Sequence, residues 1–124
     1  RVRLVLREVY FESAGLWASM LARAAGPAAA WGLVGLFLEE QPRWMGAPHP
    51  AAPLIALAGR GGLRPDRAAA ALADAAFMHR LVDDFEAKAG ADGVRATPTL
   101  RVGARTHVGL LETGALSALI DAAL

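Results

Sequence analysis

The chain opens on an alternation of apolar and basic side chains. In residues 1–9, Val2, Leu4 and Leu6 would share one face of an extended chain, with arginines on the other face. Alternation with a period of two, together with β-branched residues, is typical of a β-strand. We therefore predict a strand over residues 1–9.

From residue 14 onward, apolar side chains recur every three or four positions, which is the period of an amphipathic helix. Ser13 is the expected cap of the first helix, and the proline-rich residues 41–53 are expected to form a loop. The charge-free residues 24–38 number 15, short of the ~20 that span a bilayer, and predict a buried helix. Glycine and proline divide the region into five predicted helices: 14–25, 27–40, 53–59, 65–75 and 77–89.

The end of the chain returns to a strand period. Strands are predicted over residues 94–102 and 105–110, and a connection as short as Gly103-Ala104 requires an antiparallel hairpin. Thr113 is the expected cap of a final helix. The order of strand, helices, hairpin and helix predicts a single α/β domain over residues 1–124.

The amino-acid composition excludes several kinds of chemistry but says less about the fold. The 124 residues include no cysteine, which excludes disulfides, thiolate nucleophiles and cysteine-ligated zinc within this sequence. The formal net charge of +1 gives no support for a nucleic-acid partner. We expect no catalytic residue, no metal, no cofactor and no membrane span in this sequence.

Polar clusters outside the hairpin have ordinary structural explanations. His79 and Asp83 lie one helical turn apart, but two ligands do not make a zinc site, so surface ion pairing is expected. Residues 59–62 are rich in glycine but follow a helix and lack the Gly-Lys-Ser/Thr ending of a phosphate loop, so a helix end is expected. A small helical enzyme or anion binder is a further alternative, and it would use three arginines: Arg60, Arg64 and Arg67.

One dipeptide does not fit a plain strand. Thr97 and Pro98 fall at the start of a hairpin strand, where proline removes a hydrogen-bond donor from the ladder. Proline suits strand starts, edges and special turns. From the residues alone a trans bond is expected, because only ~5–6% of such bonds are cis.

The chain resembles the DsbA-like branch of the thioredoxin-fold family. The resemblance covers the whole chain through RVRLVLREVYF, GLWASMLARAAG, WGLVGLFLEEQPRW and, most specifically, GVRATPTLRVGARTHVG. It implies an α/β thioredoxin-like fold in which residues 14–92 are a helical insertion and residues 94–124 are the hairpin and last helix. The family's first strand–helix unit, with its Cys-x-x-Cys motif, would precede Arg1, and we expect a truncated copy that lacks this unit.

The resemblance also implies a role for the Thr97-Pro98 loop. Pro98 would be cis, and the Thr97 backbone would bind an extended polypeptide substrate or partner protein by strand addition, a contact that needs no thiol. The family consists of protein thiol-disulfide oxidoreductases acting on periplasmic or secreted proteins, and without cysteine this chain is expected to be redox-inactive. The alternative is a non-catalytic peptide- or partner-binding module. Self-association that fills the central strand position is a further hypothesis about partners.

Overall fold

The computed structural model describes residues 1–124 and contains seven helices and one two-stranded sheet. The chain divides into two compact units, Arg1–Ala87 and Lys88–Leu124. None of the helices combines the length and the apolar composition needed to cross a bilayer. The elements in chain order are α1 (Ser13–Ala24), α2 (Pro27–Glu39), α3 (Gln41–Trp44), α4 (Ala51–Arg60), α5 (Pro65–Ala73), α6 (Ala75–Asp92), β1 (Thr99–Val102), β2 (Arg105–Val108) and α7 (Thr113–Asp121).

Helix α1 is the centre of the first unit because it buries two neighbouring rows of side chains. It packs against α2, α4 and α5, where Leu21 joins a cluster that includes Leu33 and Leu54. Met20, on the adjacent row, joins a second cluster with Leu81. A helix apolar on two rows must be covered on both, so α1 is enclosed by its neighbours.

The ends of two helices differ from the sequence prediction. Ser13 is the first residue of α1, and the carboxylate of Glu12 caps the helix by accepting the N–H groups of Ala14 at 2.7 Å and Gly15 at 2.8 Å. The prediction of Ser13 as the cap is therefore wrong, because a longer carboxylate one position earlier reaches these free amides and complements the positive end of the helix. Thr113 is likewise the first residue of α7 and not its cap.

The strand predicted for residues 1–9 does not form in the structure. These residues carry no strand pairing, and the side chains of Val2 and Leu4 are 59% and 72% exposed. The physical reason is that a strand needs a neighbouring strand to accept its hydrogen bonds, and the unit Arg1–Ala87 contains none. The segment is attached at its far end, where Arg23 donates two hydrogen bonds to Glu8 at 2.9 and 2.7 Å.

Two further helix predictions need correction. The expected loop over residues 41–53 contains α3, because the indole of Trp44 is buried and its Nε1 donates to the carbonyl of Phe37 at 2.9 Å. Helix α2 was expected to be buried, yet only Leu33 and Phe37 of its 13 residues are buried. The bounds of the remaining helices shift by two or three residues at some ends, where glycine and proline signals are imprecise.

The second unit contains the predicted antiparallel hairpin. Strands β1 and β2 pair in a register that sets Thr99 opposite Val108 and Val102 opposite Arg105. The two-residue turn places Gly103 at φ +59°, a conformation that glycine adopts without a Cβ penalty. Strand β1 begins at Thr99, five residues later than predicted, since pairing starts only after the proline. The prediction of one domain over residues 1–124 stays a prediction.

Gly61 allows a test of the packing between α2 and α4. Its φ of −85° suits any residue, but an added Cβ would overlap the side chain of Leu33, which is 1% exposed. We expect Gly61→Ala to lower the free energy of unfolding in urea by about 1–3 kcal/mol, as overpacking does. The control Gly59→Ala lies within α4 where a Cβ meets nothing, and should raise stability by about 0.5–1 kcal/mol. Equal effects would contradict the predicted overlap.

Tyr10, the sole tyrosine of the chain, allows a test of the second cluster. Burial raises its pKa above 10.0, partly offset by a hydrogen bond with Ser19, and its ring meets Phe85 edge-on at 5.2 Å. Because folding favours the neutral phenol, its stabilising effect should be lost as the pH rises through the raised pKa. We expect the ultraviolet titration midpoint of the folded protein to exceed that in urea, and Phe85→Ala to reduce the difference. Identical midpoints in folded and unfolded protein would show that Tyr10 is not packed.

Candidate functional site

The predicted binding residues lie in the loop that leads into β1. Thr97 and Pro98 are both exposed, and the peptide bond between them is cis, which is the isomer that the family resemblance implies. The loop is joined to the strand by the hydroxyl of Thr99, which donates to the carbonyl of Ala96 at 2.6 Å. Both predicted residues are therefore accessible at the start of the hairpin.

The register of the hairpin places Pro98, which has no N–H donor, at the end of the ladder. The N–H of Gly109 donates to the Pro98 carbonyl at 2.8 Å, extending the ladder by one pair beyond Thr99 and Val108. In an antiparallel ladder, residues point their N–H and C=O groups alternately toward the partner strand and away from it. Pro98 belongs to the set that faces β2, so only one inward hydrogen bond is lost.

The other set of residues faces an unpaired edge. Thr99 and Arg101 alternate with the inward-facing positions, and the sheet has no third strand beside β1. No hydrogen bond in the structure involves the N–H or C=O group of Thr97. The start of β1 thus presents backbone donors and acceptors to solvent along one side, a template for an added strand.

Two exposed apolar side chains lie at the end of β2, on the opposite side of β1 from its open edge, and one ion pair involves β1 itself. Val108, which pairs with Thr99 at the end of β2, is 62% exposed, and Leu110, which follows the ladder, is 89% exposed. Arg101 on β1 donates to Asp92 at 3.1 Å, which links the hairpin to the end of α6 within the same unit. The site therefore combines unpaired backbone groups along β1 with exposed apolar surface at the end of the other strand of the hairpin.

The other clusters found in the sequence do not form a site. Arg60 pairs with Glu40 at 3.2 Å, and Arg64 makes two hydrogen bonds to Asp66 at 3.0 and 3.1 Å, which lower the pKa of that carboxyl. Two of the three arginines of the anion-binding hypothesis are therefore already paired with carboxylates. No group of three or more histidine, cysteine or acidic side chains is placed to hold a metal.

The glycine-rich residues 59–62 form a helix end, as expected. The N–H of Leu63 donates to the carbonyl of Ala58 at 2.9 Å, closing the end of α4. Gly62 takes a φ of +93° in the turn that follows, a conformation typical of residues that terminate helices. The phosphate-loop alternative is thereby excluded on geometry.

Thr99 and Gly109 hold the loop in place, a role that the sequence pattern did not predict. The position of Gly109 could have been predicted from the two-residue turn at Gly103 and Ala104, because counting outward from this turn places Gly109 opposite Pro98. The hydroxyl bond of Thr99 to Ala96 has no comparable signal, because a threonine in a strand is common without such a role.

A family model described as thioredoxin matches residues 1–122 of the chain. The chain belongs to the thioredoxin family. Its seven helices and small two-stranded sheet are consistent with an α/β thioredoxin-like fold. Searches of curated proteins and of solved structures returned no significant match.

Membership in the thioredoxin family makes the cysteine count chemically decisive. Disulfide exchange requires a thiolate to attack a disulfide sulfur, and none of the 124 residues is a cysteine. These residues therefore cannot carry out the exchange themselves. What they retain is a loop with unpaired backbone groups at the start of β1.

Proposed function

We propose that this thioredoxin-family domain binds extended polypeptide segments by strand addition along the open side of β1. The observation that carries the proposal is the unpaired Thr97 backbone next to the outward-facing Thr99 and Arg101. An extended peptide pairs with such an edge through main-chain hydrogen bonds, while alternate side chains contact the surface. Val108 and Leu110 add exposed apolar surface at the end of β2, one strand away from the added peptide.

Within the thioredoxin family, we propose that the chain is related to the DsbA-like thiol-disulfide oxidoreductases, which act on periplasmic or secreted proteins. The segment GVRATPTLRVGARTHVG, with its Thr-Pro, glycine turn and Val-Gly, supports this relationship. In such a protein the loop would hold a substrate chain while a dithiol outside these residues reacted with it. Reading the coding DNA upstream of the Arg1 codon tests this point: an in-frame strand ending in Cys-x-x-Cys supports it, and unrelated sequence contradicts it.

Strand addition can be tested with a short fluorescent peptide of alternating valine and threonine. If the peptide pairs with β1, N-methylation of the amides on its pairing side should weaken binding by about tenfold or more, because each loses a hydrogen bond and gains a clash. N-methylation of the amides on its opposite side should have little effect. Equal losses from both peptides would contradict pairing through the main chain.

The contribution of Thr97 can be separated by two variants within the same assay. Thr97→Pro removes the backbone donor and should weaken binding by about tenfold, whereas Thr97→Val keeps the backbone and the side-chain shape and should bind nearly as the parent does. Circular dichroism would verify that both variants retain the helical unit. Loss of binding in Thr97→Val alone would assign the contact to the hydroxyl and not to the main chain.

Redox inactivity has a direct measurement. In an insulin-reduction assay with dithiothreitol, we expect the 124-residue chain to leave the rate at the level of dithiothreitol alone, because it supplies no thiolate. A cysteine-containing thioredoxin serves as the positive control. Acceleration by this chain would overturn the conclusion, and it would do so independently of the peptide-binding result.

A further inference from the structure

Helix α2 presents an apolar face that the other helices of the unit Arg1–Ala87 leave exposed. It carries no charged residue before Glu39, and a helix that is apolar all round is normally enclosed by other elements. Its buried residues, Leu33 and Phe37, fall on one side. The opposite side is exposed over six residues: Ala28, Trp31, Gly32, Gly35, Leu38 and Glu39.

Two large side chains and a hollow give this face its shape. The indole of Trp31 is 51% exposed and Leu38, two turns further along, is 63% exposed. An open hollow of about 570 Å³ lies between α2 and the end of α4, lined in part by Trp31, Leu36 and Gly61. The face thus carries both protruding apolar groups and space beside them.

Neither end of α2 carries the charge that its dipole favours, and Glu39 places a carboxylate at the negative C-terminal end. The first turn contains no acidic residue and no side chain caps it, while the last turn contains no basic residue and ends in Glu39. Carboxylates stabilise the positive N-terminal end of a helix and destabilise its C-terminal end. The adjacent Glu40 is paired with Arg43 and Arg60, whereas Glu39 has no ion pair in the structure.

We propose that this face binds a second copy of the chain, with the two α2 helices packed antiparallel. Positions 28, 32, 35 and 39 are spaced symmetrically about the middle of the helix, so a two-fold axis there maps each onto another. Gly32 then meets Gly35 of the second copy, and Ala28 meets Glu39 of the second copy. The same surface of both chains is used, as a two-fold interface requires.

The charge pattern selects a second copy in this orientation. In this arrangement each Glu39 carboxylate lies at the uncapped N-terminal turn of the opposing α2. It supplies the negative charge that this turn does not have within its own chain. The glycines at the crossing point allow the backbones to approach closely, and Trp31 and Leu38 are then covered from the side. A contact centred on one helix face is smaller than a standard interface, so a weak, concentration-dependent dimer is expected.

The glycines provide a test that separates association from folding. A Cβ added at Gly32 or Gly35 meets nothing within the chain, so the double variant Gly32→Ala/Gly35→Ala should melt at a higher temperature than the parent. It should nevertheless raise the dimer dissociation constant by about tenfold or more, because the added methyl groups separate the helices at their crossing. Gly90→Ala, a helical glycine in α6 with equally open surroundings, is the matched control and should leave dimerisation unchanged.

Charge reversal provides the second test. Glu39→Lys suits the negative end of its own helix and should not destabilise the monomer, but it places a cation at the positive end of the opposing helix and should weaken the dimer by about tenfold. Adding Ala28→Asp to Glu39→Lys restores an opposite-charge pair across the two-fold axis, and dimerisation should return toward the parent level.

Sedimentation equilibrium of the 124-residue chain, from micromolar to submillimolar concentration, gives the readout. The expected result is a mass rising toward twice the 12.9 kDa of one chain, with the glycine and charge variants shifted as stated. A monomer at all concentrations overturns the proposal. A dimer unaffected by both sets of variants also overturns it and assigns association to another surface, such as the open edge of β1.

Discussion

The two-sided burial of α1 is the interaction on which the rest of the first unit depends. Met20 and Leu21 are consecutive residues, and both are 0% exposed because each belongs to a different cluster. Consecutive helical residues lie about 100° apart, so full burial of both requires neighbours around much of the helix. The positions of α2, α4 and α5 on one cluster and of α6 on the other follow from this requirement.

The hairpin of the second unit is governed by a different constraint, the absence of a donor at Pro98. In the middle of the ladder, a proline facing β2 would remove a hydrogen bond from a central pair. Pro98 lies at the end of the ladder, where its carbonyl still accepts the hydrogen bond from the N–H of Gly109. The strand can therefore begin immediately afterwards with full pairing. The same arrangement leaves the preceding Thr97 outside the ladder, so the residue proposed to bind peptides is available because of the proline beside it.

The helices and the hairpin were predictable from sequence because each is a local pattern. Apolar periodicity located most of the helices, and a two-residue connection containing glycine required the antiparallel turn at Gly103. Elements that depend on distant partners were not predictable. Residues 1–9 have every local property of a strand and lack a neighbour to pair with, and α3 depends on where the indole of Trp44 finds a buried acceptor.

For the candidate site, the sequence identified the dipeptide but not its support. Thr97 and Pro98 stood out because proline conflicts with strand pairing, and the resemblance to a family added the expected role. The arginine cluster failed for a reason that sequence alone does not contain. Whether Arg60 and Arg64 are free for an anion depends on which carboxylates lie beside them in space, and Arg60 finds Glu40 across 20 residues of chain.

The exposed segment before Glu8 also has a consequence for solubility. Short segments rich in valine and leucine, without proline, tend to stack into intermolecular β-structure when they are accessible. Arg1 and Arg3 interrupt the apolar residues, so strands from several chains stacked in register would bring like charges together. Because Glu8 is already bonded to Arg23, its negative charge is engaged elsewhere. We therefore expect Arg1 and Arg3 to oppose aggregation of this exposed segment.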